Sequence, residues 1–550
     1  MLNKVLTIIN MSISYLRTIF TKYHCFKSVS IDNRNIKINL SDKEINNQKL
    51  RWDIYNRSKI LFSIGQPTSK KDIFYDPITN RIFKKFPYFF FRPHRINVNT
   101  DIKYSWDLCR GYEFIMFSLH STPELIKSIS SYRTNFFTGI EWSSPMEVSI
   151  RVINLLVALR LNSSFFTGNK KIVRRFIIDH YAYLINNLEK SKYGHTNNHY
   201  LSNIIALHLL AEHLQLDTFF TKNEISNELR KQFHDDGSNF EGSTHYHFLS
   251  TEMIFWLKML SRELSSCECL NTTLDKALSV CHVLLRSDGT IPLVGDCDSG
   301  IVTNLYVFFS PDQGNDNDKR EALDDYYSRF CFFSRNYQVQ TCGRISNITI
   351  NKDSNNDISI FEYNRKTKLS KTIDLSDYRV FYYSGLSLVV FDSSTVQITF
   401  KVGSLGQEGR GGHDHNDQLS MTIWSYELGT ILHDPGTFTY SQFNIKYPDL
   451  RRSKYHNSHI DFRQEEFDSL PFKSSHPGSK FMFRSDLNWV GIQKYSNFSI
   501  AREVRISHDA IIIVDYFESL NDFNSHCLDL NDLPFANFYG FSNEKNITLT

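Results

Sequence analysis

Val396-Gln397-Ile398-Thr399-Phe400-Lys401-Val402 alternates apolar and polar residues without a break. Successive side chains of an extended chain point to opposite faces, so this stretch reads as a strand with one face in a core. Upstream the spacing is different. Met146, Ile150, Ile153, Leu155 and Val157 follow a 3.6-residue period, as do Ile172, Val173, Phe176, Ile177, Leu184, Ile185 and Leu188, and then Ile204, Leu207, His208 and Ala211. These runs predict a set of helices between about 95 and 335. Past about 340 the strand pattern takes over, with Ile511-Ile512-Ile513-Val514 as a buried run and turn-forming clusters at 351–357 and 474–478. The expectation is a multidomain chain, α then β, with the strands in an antiparallel sandwich. We divide it into a partly helical extension (1–95), a helical domain (96–340), a connecting segment (341–375) and a β domain (376–550). A helical domain followed by a β domain is expected to leave a cleft for a substrate.

At 550 residues the chain exceeds one ordinary core, which agrees with that division. Charged residues at 22% and hydrophobic ones at 41% describe a globular protein, neither disordered nor fibrous. The 62 basic and 59 acidic residues nearly cancel, so no nucleic-acid footprint is present. Aromatic residues reach 14%, which a Phe-rich core explains, although aromatic faces also bind sugar rings. The 9 cysteines are scattered in no regular framework, which argues against a disulfide scaffold. Cys267-x-Cys269 lacks the second ligand pair of a structural zinc site. The apolar start Met1–Ile9 is interrupted by Asn10, Ser12, Ser14 and Arg17, so it reads as an amphipathic helix, not an export signal or a membrane span.

Four constellations carry possible chemistry. Gly409-Arg410-Gly411-Gly412-His413-Asp414-His415-Asn416-Asp417 sets two histidines on one face if the backbone is extended. His433-Asp434-Pro435-Gly436 and Arg451-Arg452-Ser453-Lys454-Tyr455-His456-Asn457-Ser458-His459 follow. His415, Asp434 and His456 on neighbouring strands would form a two-histidine, one-carboxylate zinc site that water completes. The plain alternative for each histidine is a packed, hydrogen-bonded ring. Asn197-Asn198-His199 stands at a helix start, where asparagine is a natural cap. In Asp236-Gly237-Ser238-Asn239-Phe240-Glu241-Gly242-Ser243-Thr244-His245-Tyr246-His247, a turn leads to a helix that Ser243 or Thr244 can cap. Tyr246 between two histidines suits a general acid or base, or simply packs on the core. Asp288-Gly289-Thr290-Ile291-Pro292-Leu293-Val294-Gly295-Asp296-Cys297-Asp298-Ser299-Gly300 reads as a tight loop whose carboxylates are structural.

The order of these motifs, with Trp106-Asp107-Leu108-x-Arg110 and Gly139-x-x-Trp142-Ser143-Ser144-x-Met146-Glu147-x-x-x-Arg151 upstream, resembles the heparinase II/III family of polysaccharide lyases over roughly 95–520. The resemblance implies an incomplete (α/α) toroid followed by an antiparallel β-sandwich, and β-elimination on a uronic-acid-containing polysaccharide. By motif, Asn198 and His199 would neutralise the uronate carboxylate, and Tyr246 would take the C5 proton, protonate the leaving O4, or both. His413 would assist from the β domain; with the other C5 configuration His199 would be the base and Tyr246 the acid. The family's metal, structural in role, would be held by His415, Asp434 and His456, with Asp417 and His459 nearby and ranked lower. A second cleft tyrosine would be Tyr440 or Tyr447, neither a clear match. The partner implied is an acidic polysaccharide or oligosaccharide, with no nucleic acid and no transmembrane segment. The compartment implied is the periplasm or cell envelope, with the cytoplasm as the alternative that the N-terminus favours. Two other functions fit parts of the pattern: a zinc hydrolase with a metal-activated water, and a non-catalytic glycan-binding protein of surface-polysaccharide assembly.

Overall fold

The computed structural model describes residues 16–18, 20–21, 38–58, 61–63, 66–68, 74–76, 81–83, 101–134, 139–191, 194–305, 308–310, 321–323, 326–336, 363–368, 373–437, 450–458, 478–495, 498–508 and 510–519. Most of the N-terminal helix expected from sequence, the turn at 351–357, nearly all of that at 474–478, and Tyr440, Tyr447 and His459 lie outside the described residues. The chain divides into two compact units. The first comprises Met1–Arg230, Leu249–Leu274 and Gly300–Val339; the second comprises Lys231–Phe248, Asp275–Ser299 and Gln340–Thr550.

The first unit is helical. Its principal helices are α1 (Glu113–His120), α2 (Thr122–Thr134), α3 (Pro145–Leu161), α4 (Lys170–Asn186) and α5 (Asn198–Leu214). α3 is the central one, packing on α1, α4 and α5. The residues that set its period, Met146, Ile150, Ile153, Leu155 and Val157, are all buried. Each such burial stabilises by about 1.5–3 kcal/mol relative to exposure. The motif residues upstream form buried polar braces. Arg110 grips Glu147 through Nε (2.5 Å) and Nη2 (3.2 Å), and Asp107 lies 3.2 Å from Arg110 Nη1. The Arg151 guanidinium sits 4.8 Å above the Trp142 ring and donates to the carbonyls of Cys109 (3.0 Å) and Glu141 (2.9 Å). These residues therefore hold helices together.

The second unit carries two five-stranded antiparallel sheets. Its strands are β1 (Tyr363–Lys368), β2 (Tyr378–Tyr383), β3 (Leu388–Ser393), β4 (Val396–Lys401), β5 (Met421–Ser425), β6 (Gly429–Leu432), β7 (Ser479–Ser485), β8 (Asn488–Lys494), β9 (Phe498–Ile506) and β10 (Ala510–Ser519). The first sheet runs β6-β5-β4-β3-β2 and the second β7-β8-β9-β10-β1. Val396, Ile398, Phe400 and Val402 meet Trp489, Ile500, Val504 and Ile511 in one core between the sheets. This is the helix-then-sandwich architecture expected from the change in periodicity. The polar face of β4 departs from a simple amphipathic strand, because Gln397, Thr399 and Lys401 are buried as well. The Gln397 amide donates to the Val283 carbonyl (3.0 Å) and accepts from Arg286 Nε (3.3 Å). Segment 275–299 thus covers the outer face of the first sheet.

Candidate active site and metal-ligand cluster

Two helical returns bring chemistry to the second unit. Ser243 caps α6 (Thr244–Leu260): its Oγ accepts the Tyr246 amide (3.2 Å) and donates to the Asp296 carbonyl (2.6 Å). That exchange ties the Tyr246 turn to the Gly295-Asp296-Cys297-Asp298 loop. Gly295 has φ +72° and a hypothetical Cβ there would lie 2.7 Å from the His413 carbonyl oxygen, so only glycine lets the two backbones meet. The Asp296 amide then donates to that same carbonyl (2.9 Å).

The loop bearing His413 and His415 is fixed from below by a buried ion pair. Lys401, at the end of β4, places Nζ 2.6 Å from Asp414 Oδ1 and 2.9 Å from the carbonyls of both Gly242 and Leu386. Asp414 also accepts from the Gly406 amide. Burial works against the Lys401 charge, but Asp414 and its acidic neighbours raise its pKa above the usual lysine value. With Asp414 turned to Lys401, the residues on either side of it turn the other way. His413 Nδ1 lies 3.0 Å from Asp296 Oδ2, and His415 Nε2 lies 3.0 Å from Asp296 Oδ1. Thr437 adds a hydrogen bond to Oδ1 (3.2 Å). Burial alone would raise the Asp296 pKa, yet the bonds to the two imidazoles hold it well below the ordinary carboxylate range.

The Tyr246 ring stacks on the His413 ring at 3.6 Å between centroids and 15° between planes. The polar ends of both rings are anchored. Tyr246 donates its hydroxyl to Asp298 Oδ2 (3.0 Å), and His413 Nε2 faces Glu241 Oε2 (3.3 Å). The other oxygen of Asp298 lies 3.1 Å from His245 Nε2.

His415, Asp434 and His456 come together as expected, each offering one ligand atom, with these atoms all within 4.8 Å of one another. They do not stand on neighbouring strands. His415 lies in the loop before β5, Asp434 just past β6, and His456 directly after the short 3-10 turn Ser453–Tyr455. Loops free of ladder hydrogen bonds can turn three side chains toward one point. The fit of a cation is visible in what the protein leaves unsatisfied. His415 Nδ1 and both Asp417 carboxylate oxygens are buried with no hydrogen-bond partner among the described residues. Burial pushes the Asp417 carboxyl up to about 6, against the pull of Lys401 and the neighbouring His456 and His415. His456 Nδ1 rests 2.8 Å from Asp434 Oδ2. With Nε2 turned to Asp296, Nδ1 is the His415 atom that would be open to a metal, and the outer carboxylate would set the imidazole tautomer. A second group, His208, Glu212 and Glu263, is already served by protein donors: Glu212 accepts from Ser261 Oγ (2.6 Å) and from the amides of Arg262 and Glu263 (3.0 Å each).

Asn198 and His199 belong to the first unit, at the start of α5. Asn197 is the cap, its side chain accepting the His199 amide at 3.1 Å. Asn198 is buried, and the half-buried His199 sets Nδ1 3.0 Å from Glu189 Oε1. Glu189 is itself held by the Asn203 amide group (3.2 Å). The loop carboxylates that sequence reading treats as structural, Asp296 and Asp298, prove to be the shared anchors of His413, His415, Tyr246 and His245. The i, i+2 spacing of Asp296 and Asp298 beside a glycine was the available signal.

No family model matches the sequence, and no curated protein matches it. Among solved structures the chain is similar to heparinase III, with a TM-score of 0.51 and 15% sequence identity over 91% of this chain and 75% of that one. It is also similar to the heparan sulfate lyase HepC from Pedobacter heparinus, with a TM-score of 0.42 and 13% identity over 92% and 74% of the two chains. The chain has a heparinase III-like fold, helical first and antiparallel β second, as the motif order implied.

Proposed function

We propose that this protein is a polysaccharide lyase that cleaves a uronic-acid-containing polysaccharide by β-elimination. The observation that carries the proposal is the stacked Tyr246–His413 pair, with each polar end anchored on a buried carboxylate. β-Elimination needs a base at C5, an acid at O4, and neutralisation of the uronate carboxylate so that charge developing at C5 is stabilised. Tyr246 serves the C5 proton and the leaving oxygen. His413, held in one orientation by Asp296 and Glu241, assists beside it. Asn198 and His199 serve the substrate carboxylate, with Glu189 orienting the imidazole. The metal is zinc, held by His415, Asp434 and His456, and its role is to lock the loop that presents His413. The substrate is an acidic polysaccharide or oligosaccharide, and the compartment is the cell envelope or periplasm. Among the described residues no helix is long and apolar enough to cross a membrane.

The donor set also favours a second reading, a zinc hydrolase, because two histidines and a carboxylate can hold a catalytic metal. Product analysis separates the two. Purified protein is incubated with a panel of uronate polymers, and the new chain ends are examined by ultraviolet absorbance and mass spectrometry. A lyase leaves an unsaturated uronate at one new end. Saturated ends formed with uptake of water would overturn the lyase assignment in favour of the hydrolase.

A further inference from the structure

The least expected feature of the site is the second partner of Asp298. Its Oδ2 accepts the Tyr246 hydroxyl (3.0 Å), while its Oδ1 lies 3.1 Å from His245 Nε2, and all three residues are buried. His245 and Tyr246 are adjacent on the first turn of α6, so one carboxylate faces two consecutive side chains. Other charged or titratable groups complete the surroundings. His413 stacks on Tyr246 and is itself held by Asp296 and Glu241, and Cys297 neighbours His245. Burial disfavours charge on His245, but Cys297 and the Asp298 carboxylate reverse this and push it up to about 10.

This arrangement answers a chemical difficulty. An ordinary tyrosine has a pKa near 10, so at pH 7 roughly one molecule in a thousand is tyrosinate. A neutral tyrosine can act as a base only if its own proton has somewhere to go. We propose that Asp298 is the proton partner of Tyr246, a positioning residue that receives the phenolic proton while the phenolic oxygen takes the proton from C5. The inference rests on the lyase assignment and deepens it. The C5–H bond breaks, its proton joins the Tyr246 oxygen, and the Tyr246 O–H proton passes to Asp298 Oδ2. The electron pair left at C5 forms the C4–C5 double bond as the C4–O4 bond breaks. Tyr246 then gives its proton to the departing O4 oxygen, and Asp298 returns its proton to Tyr246. The net transfer is one proton from C5 to O4, with both residues restored. His245 holds the other oxygen of Asp298 and so keeps Oδ2 turned to the Tyr246 hydroxyl.

The test uses the full-length protein on a polymer that it cleaves. In the wild type, kcat/KM is expected to be level from roughly pH 7 to 9, because no tyrosinate has to form first. Asp298→Asn, which keeps the size but cannot accept the proton, is expected to lower kcat by about 100-fold or more, with KM changed less than about threefold. Its residual activity should climb with pH through the alkaline range, where tyrosinate itself can supply the base. Asp298→Glu should recover part of the loss. A wild type whose kcat/KM itself climbs in that way, or an Asp298→Asn variant that keeps kcat within about threefold, overturns the relay and leaves the lyase assignment standing. An Asp298→Asn protein that loses activity equally at every pH, together with its thermal stability, marks Asp298 as structural and also overturns the relay. A wild type that yields no unsaturated product from any uronate polymer overturns the lyase assignment and the relay with it.

Discussion

Replacing Lys401 by methionine keeps an unbranched apolar stem and removes the terminal ammonium with its charge and hydrogen bonds, which makes it a probe of what holds the His413–His415 loop. Lys401 and Asp414 are 1% and 0% exposed, with Nζ and Oδ1 2.6 Å apart. Methionine would leave the Asp414 carboxylate buried without its counter-charge, and the Gly242 and Leu386 carbonyls without this donor. Removing one partner of a buried pair costs about 3–5 kcal/mol, most of it the price of the stranded charge. For a cooperative unit of 150–250 residues each kcal/mol moves the midpoint by about 2–4 °C, so a fall of about 6–20 °C is expected in thermal unfolding of the second unit. Adding Asp414→Asn removes the stranded charge, and its amide group can still accept from Gly406 and donate to a carbonyl. The double variant is therefore expected to be more stable than Lys401→Met alone. Differential scanning calorimetry of wild type, both single variants and the double variant completes a double-mutant cycle. A single-variant loss under about 1 kcal/mol, or simple additivity in the cycle, would refute the claim that this pair anchors the loop.

Other outcomes are expected from the same geometry. Purified protein should bind one zinc ion per chain, and His415→Ala or Asp434→Asn should lower that stoichiometry in elemental analysis; unchanged zinc content in both would remove these residues from the site. In the helical unit, Glu212 would be raised by burial, but hydrogen bonds from His208, Ser261 and the Arg262 and Glu263 amides lower it to about 2. Its ordinary value of 4.5 describes the unfolded chain, so its contribution is full above pH 4.5 and is lost as pH falls through about 2. The loss amounts to about 3 kcal/mol. Glu212→Gln should flatten the acid dependence of stability across that window, and an unchanged slope would contradict the assignment.

The sequence made the architecture legible where one physical signal dominates. The helical period of α3 and the alternation of β4 each name side chains that are buried, but α3 is buried on all sides from Met146 to Leu159, so its period marks a helix and not an exposed face. Alternation could not reveal that Gln397, Thr399 and Lys401 are covered too. A polar residue facing solvent and one paired beneath segment 275–299 leave the same pattern. The site was legible as a set of residue types more than as a geometry. His415, Asp434 and His456 were identifiable as imidazole and carboxylate ligands, but their placement in loops depends on tertiary contacts among segments far apart in the chain. Asp296 and Asp298 look like turn residues in a one-dimensional reading. Their roles appear only once the Tyr246 helix and the His413 loop are seen to converge on them.

The most direct test of the central claim is formation of the C4–C5 double bond by wild-type protein and by Tyr246→Phe, followed as ultraviolet absorbance on the same uronate polymer. The wild type is expected to generate the unsaturated product. Tyr246→Phe, which keeps the ring stacked on His413 and removes only the hydroxyl, should generate none while unfolding at a similar temperature. Full activity in Tyr246→Phe would contradict the account.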